Sequence, residues 1–155
     1  MTRLEIYNKY LNILLELLRA RYNNSGLRAS GNYEGQLEKK IENNSLKILG
    51  AAYSEQMENG RRAGAWTPKN VLISWIETKQ GLPSFFKENK EVAAFLIARK
   101  HFREGIKVPN EHNEGRVVSG ALEEFEVKFL PQMVKELGQF YITELTTVVR
   151  TAFAA

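Results

Sequence analysis

The side chains able to do covalent or acid–base chemistry are few. His101 and His112 are the only imidazoles and cysteine is absent. Disulfides and thiolate metal sites are therefore excluded, and no helical His-x-x-x-His pair provides the core of a zinc site. His101, between Lys100 and Phe102, reads as structural or solvent-facing, and His112 sits in a polar turn. Glu123, Glu124 and Glu126 read as a solvated helix face. Glu58 with His101 is an acid–base pair that nothing in the spacing favours. Walker loops, serine elbows and dinucleotide fingerprints are missing. The expectation is a protein that is not an enzyme, with no catalytic residues, no cofactor and no metal.

The remaining chemistry is recognition. Gly60-Arg61-Arg62-Ala63-Gly64 is followed by Trp66-Thr67-Pro68. Glycine allows positive φ or close backbone approach, which makes this a sharp turn. Thr67 reads as an N-cap and Pro68 as a first helical residue. A rigid corner would then present Arg61, Arg62 and Trp66 to a partner, since arginine and tryptophan are enriched among interface hot spots. The competing reading is a tight turn with solvated arginines and a tryptophan that closes the core.

This stretch, with Trp75-Ile76, Lys79, the run Ala94-Phe95-Leu96-Ile97-Ala98-Arg99-Lys100 and Glu104-Gly105, resembles a family of tailed-bacteriophage neck proteins. These are tail-completion or head–tail joining components, here of the type found in phages of gut Bacteroidetes. Ala63 stands where the family pattern has proline. The resemblance covers the middle third closely and the ends in layout. It implies a homo-oligomeric ring between portal or adaptor and tail, in the virion, assembled in the bacterial host cytoplasm. Its implied partners are its own copies and other neck, portal or tail proteins, with genomic DNA passing through the lumen and no membrane.

Several elements must hold the corner in place. Residues 3–22 predict a helix with Leu4, Tyr7, Leu11, Leu14, Leu18 and Tyr22 on one stripe and Ile6, Tyr10, Ile13 and Leu17 on another. Together they cover roughly 200° of the helical wheel, wider than a surface helix needs. The second stripe is the candidate outer contact with a neighbouring subunit. Leu37–Ile41 and Ser45–Leu49 alternate as a β-hairpin around Asn43-Asn44. Short helical residues 51–58 lead into the arginine turn. A helix over 68–79 would bury Val71, Leu72, Trp75 and Ile76 and stop at Gly81. Another, capped by Asn89 and ending at Gly105, would turn Val92, Phe95, Leu96, Ile97, Ala98 and Phe102 mostly inward. Residues 106–118 read as a projecting loop or hairpin arm, two β-prone arms around a polar tip, with Val108 and Val117 available for strand addition to a neighbour. Residues 120–153 are helical again, restarting or kinking at Pro131. Ala152-Phe153-Ala154-Ala155 is an apolar end.

At 155 residues with 43% hydrophobic content, the chain can build a core as a single domain, 1–155. No apolar run reaches the roughly 18 residues of a membrane span, and the first residues lack a signal-peptide layout. A net charge of +4 permits but does not specify nucleic acid. The expected class is α+β, mostly α-helical, with helices packed on a small β-hairpin and a projecting arm. The alternative functions are a basic nucleic-acid-binding module, using Arg61, Arg62, Trp66, Arg99, Lys100 and Arg103, and a host-interaction module.

Overall fold

The computed structural model describes residues 1–42 and 45–153. Its centre is α1 (Arg3–Asn24), started by a capping box: the Thr2 hydroxyl accepts from the Glu5 amide at 3.2 Å, and the Thr2 amide donates to Glu5 Oε2 at 2.7 Å. A helical turn, α2 (Asn32–Gly35), lies in the loop that follows. The antiparallel hairpin β1 (Glu38–Glu42) and β2 (Ser45–Leu49) comes next, with Lys40 opposite Lys47. Its expected Asn43-Asn44 turn lies outside the described residues. Then come α3 (Ser54–Asn59), α4 (Lys69–Thr78), α5 (Ser84–Glu88), α6 (Lys90–Glu104), α7 (Val118–Lys128) and α8 (Leu130–Phe153). The class is α+β and mostly helical, as the patterning implied.

Three apolar clusters hold these elements. The first joins Leu15, Leu18 and Tyr22 of α1 to Tyr33, Leu37, Ala51, Met57, Val117 and Ala121. The second packs Leu72 and Ile76 of α4 on Ala93, Ala94 and Ala98 of α6. The third sets Ile6 and Tyr10 of α1 on Met133 of α8. Polar ties reinforce these contacts. Lys9 and the Tyr10 hydroxyl both donate to Glu136 of α8, at 2.6 and 3.0 Å, and Arg21 pairs with Glu124 of α7 at 3.0 Å. Gly120 lets α7 cross under Arg21, where a Cβ would stand 2.5 Å from the guanidinium.

Glu58 closes an unusual helix start. Val117, at the N-cap of α7, has no oxygen to offer the free amides. The Glu58 carboxylate, coming from α3, accepts instead from Val118 N and Ser119 N, each at 3.0 Å, and from the Ser119 hydroxyl. Burial alone would raise its pKa. Those donors outweigh burial and hold the carboxyl below its ordinary value.

Four expectations are corrected here. In the first-helix stripe, Ile6 and Tyr10 are buried inside the subunit, Tyr10 to 1% exposure, while Ile13 and Leu17 are half-buried against the same clusters. The apolar arc is wide because α7, α8 and the hairpin cover it from both sides, which leaves no outer contact at Ile6 or Tyr10.

Residues 106–118 are also not a projecting arm. Ile106 bridges to Arg61, Asn113 is buried, and Val117 is a core residue at 1% exposure. The polar tip folds on itself: Asn110 accepts from the His112 amide and Asn113 from the Gly115 amide, both at 2.8 Å. The Asn113 amide group donates to the Met57 carbonyl at 2.9 Å, anchoring the loop to α3. Val108 is half-buried and lies beside Gly115, so neither valine offers a free strand edge.

On α6 the inward face is the alanine row, and Val92, Phe95, Leu96 and Phe102 are exposed, as is Val71 on α4. Small residues allow the two helices to approach closely, so the larger side chains are displaced outward. Finally, Thr67 does not cap α4. Its N-cap position is Pro68, with no side-chain cap bond. The expected break near Pro131 is present: α7 stops at Lys128 and Pro131 sits in the first turn of α8, where a missing N–H costs nothing.

Candidate interaction site

The turn between α3 and α4 is fixed by backbone before any side chain acts. Arg61 and Ile106 exchange both amide hydrogen bonds, at 2.8 and 2.7 Å. Two positive-φ glycines make this approach possible. A Cβ on Gly60 would stand 2.0 Å from the Ile106 carbonyl oxygen, and one on Gly105 would stand 2.3 Å from the Arg61 oxygen. The Gly64 amide then donates to the Phe102 carbonyl at 2.8 Å, tying the far side of the turn to the last turn of α6.

The two arginines take different roles. Arg61 folds inward, and its Nη2 donates to the Ala65 carbonyl at 2.8 Å and to the Thr67 hydroxyl at 2.9 Å. Thr67 Oγ1 in turn lies 2.9 Å from His101 Nδ1. Burial pushes the His101 pKa below its ordinary value, helped by the charges of Arg61 and Lys100. A neutral ring can accept the Thr67 proton at Nδ1, so the chain Arg61, Thr67, His101 is satisfied in one direction. Thr67 is thus a bracing residue inside the turn. Arg62 points to solvent and makes no ion pair among the described residues.

Trp66 completes the corner. Its ring stacks on Phe102 at 5.0 Å with 20° between planes, and Phe95 lies beyond at 6.1 Å and 25°. Such pairs contribute about 0.5–1.5 kcal/mol each beyond area burial. Even so, Trp66 remains 50% exposed, and Phe95 and Phe102 are exposed with it. Val92 and Leu96 extend the apolar area along α6, and Arg62, Arg99, Lys100 and Arg103 border it. None of these four cations has an ion-pair partner among the described residues. Exposed aromatic ground rimmed by arginine is the composition of a binding hot spot.

Of the residues picked from sequence, Arg61, Arg62 and Trp66 are therefore brought together, with Arg61 bracing the corner and the other two displayed. Ile6, Tyr10, Ile13, Leu17, Val108 and Val117 lie elsewhere and do not join them. Phe95 and Phe102 are the members that sequence reasoning assigned inward. Their spacing of seven places them on one helical face, and the run of alanines on the other face was the signal that this face is the outer one. The described residues hold no cluster of His, Asp or Glu fit for a metal ion, and none of their helices is long and apolar enough to cross a membrane.

Comparison of the chain with protein-family models, with curated proteins and with solved structures finds no match.

Proposed function

We propose that the protein is a structural subunit of a tailed-bacteriophage virion neck, forming a ring between portal or adaptor and tail and completing the tail or joining it to the head. One observation carries the assembly role: the half-exposed Trp66–Phe102–Phe95 stack, near arginines that have no ion-pair partner among the described residues, on a corner held by backbone bonds to α6. A rigid aromatic anchor costs little ordering on binding, which suits a part that docks once and stays. The place in the virion comes from the resemblance of the Gly60–Gly64 turn and the 94–105 helix to neck proteins. On this reading the partners are its own copies and the adjoining neck, portal or tail proteins, with genomic DNA passing through the lumen. The chain is built in the host cytoplasm and performs no catalysis.

The test is incorporation. Trp66→Ala should keep the helical circular-dichroism signal of the native chain but be depleted from purified particles. Full incorporation of that variant would remove the corner from the interface. Absence of the native chain from purified virions would remove the neck reading itself. The same patch favours a second reading, stacking of a single nucleic-acid strand on the aromatics. That reading requires oligonucleotide binding that weakens steeply with salt and is lost in Trp66→Ala.

A further inference from the structure

Beyond Arg3, which lies beside Tyr141, and Met1, which lines a small cavity with Thr143, the second half of α8 is left bare by the described residues. Every residue of 141–153 is exposed, and Phe153 is 88% exposed. The exposed apolar side chains are not scattered. Ile142, Leu145, Val149 and Phe153 follow steps of three, four and four, one stripe of a helix, with Tyr141 and Val148 beside it. Thr143, Thr147 and Thr151 on the other side, and Thr146 at the stripe's edge, each return their hydroxyl to a carbonyl one turn back, so these hydroxyls are already satisfied. Threonine, valine and isoleucine are weak helix formers, and a bare segment of this length is marginal in water. The stripe has the spacing by which a helix docks in an apolar groove.

The same chain carries such a groove. A cavity of about 560 Å³ opens between α7 and β2. Leu122 and Leu130 form one rim, Leu46 and Ile48 the other, and Leu11 and Leu14 of α1 lie at its floor. Val118 to Glu126, both in α7 and both lining the groove, spans roughly 12 Å of helix, and Ile142 to Val149 spans roughly 10 Å, so the lengths agree. Glu126 is the one charged side chain lining the groove, and it has no ion pair among the described residues. Arg150, bordering the apolar stripe, is the only cation in 141–153. A subunit cannot fill its own groove: α8 begins at the rim with Leu130 and runs away from it, which places Leu145 roughly 20 Å distant along the helix.

We infer that the projecting half of α8 docks in the groove between α7 and β2 of a second copy of this chain, in a head-to-tail contact. Two different patches then meet, each subunit gives one helix and receives one, and the contact repeats until the rotation closes a ring. The inference deepens the neck reading by naming the contact between copies, and it rests on that reading only for ring closure.

Because the chain has no cysteine, single thiols report the contact cleanly. Leu145→Cys and Leu122→Cys chains, mixed and treated with a short bismaleimide, should give a crosslinked pair containing one chain of each kind, well above either variant alone. Leu145→Glu should reduce the mass measured by light scattering to that of one 17.7 kDa chain, with helical content retained. Efficient crosslinking of Leu145→Cys to itself would overturn the proposal in favour of tail-to-tail pairing. A native chain that stays monomeric at every concentration would overturn it as well. Virions that incorporate Leu145→Glu normally would retain the neck reading and defeat this contact. Mixed crosslinks in a protein absent from virions would do the reverse.

Discussion

Replacing Arg61 and Arg62 singly by alanine separates bracing from display. Arg61 donates two hydrogen bonds from one charged group, at 2.8 Å to the Ala65 carbonyl and 2.9 Å to Thr67. Bonds to charged groups contribute about 1.5–3 kcal/mol when well buried. Here both acceptors lie near solvent and recover water on truncation, so Arg61→Ala should cost about 1–2 kcal/mol. At roughly 2–4 °C per kcal/mol for a chain of this size, the melting temperature should fall by about 2–8 °C. Arg62 touches nothing that the fold needs, so Arg62→Ala should stay within about 0.5 kcal/mol of the native chain. On the proposed neck role, its loss should appear only in particle incorporation. The assay is urea unfolding followed by far-ultraviolet circular dichroism, with the slope checked to be unchanged so that midpoints report stability alone. Arg61→Lys sharpens it, because a single ammonium lacks the guanidinium's planar fork and should recover only part of the loss. If Arg62→Ala destabilises as much as Arg61→Ala, or Arg61→Ala is neutral, the division of roles is wrong.

Glu58→Gln should cost about 1 kcal/mol near neutral pH, since it removes the charge that caps α7 while retaining one acceptor oxygen. The carboxyl is held below its ordinary value in the fold, so its contribution is present above the unfolded carboxylate pKa and disappears as pH falls through the lowered folded one. Native and Glu58→Gln midpoints should therefore converge in acid, and a gap that persists unchanged there would refute the cap. Gly60→Ala should cost more than about 3 kcal/mol, combining φ of 77° with a Cβ 2.0 Å from the Ile106 oxygen. Gly64→Ala, at φ 100° with nothing within 4 Å, should cost only the backbone strain of about 1–2 kcal/mol; equal melting temperatures for the two variants would contradict the close approach.

Local patterning made the elements legible where one face of a segment was clearly apolar. The α1 repeat, the hairpin alternation and the restart at Pro131 all depend on near neighbours in the chain, and each is where the patterning put it. What sequence could not supply was which apolar face would find a partner. Val92, Phe95, Leu96 and Phe102 are more hydrophobic than Ala93, Ala94 and Ala98, yet close packing of α4 on α6 selects the small residues and turns the large ones out. Ile6 and Tyr10 look surplus until Met133, far away in sequence, is seen to cover them. Residues 106–118 have the composition of a free arm, and it takes one long-range bond, from Asn113 to Met57, to show that they are tied down. In the candidate site Arg61 and Arg62 are adjacent and chemically identical, and only the positions of Ala65 and Thr67 distinguish them.

The paired glycines at the arginine turn also have a mechanical consequence. The chain enters the α4–α6 layer just after Gly60 and leaves it at Gly105, and the Arg61–Ile106 exchange clamps the entry and exit strands side by side. That layer has its own apolar centre, and Lys79 adds a second tether by donating to the Gly26 and Arg28 carbonyls. Among the hydrogen bonds of the described residues, those of this exchange and of Lys79 are the ones that join the layer to the rest of the fold. The aromatic patch rides on that layer. Load applied at the patch therefore passes to the rest of the subunit through the Arg61–Ile106 exchange, so that pairing, more than any of the three apolar clusters, sets how firmly the patch is held.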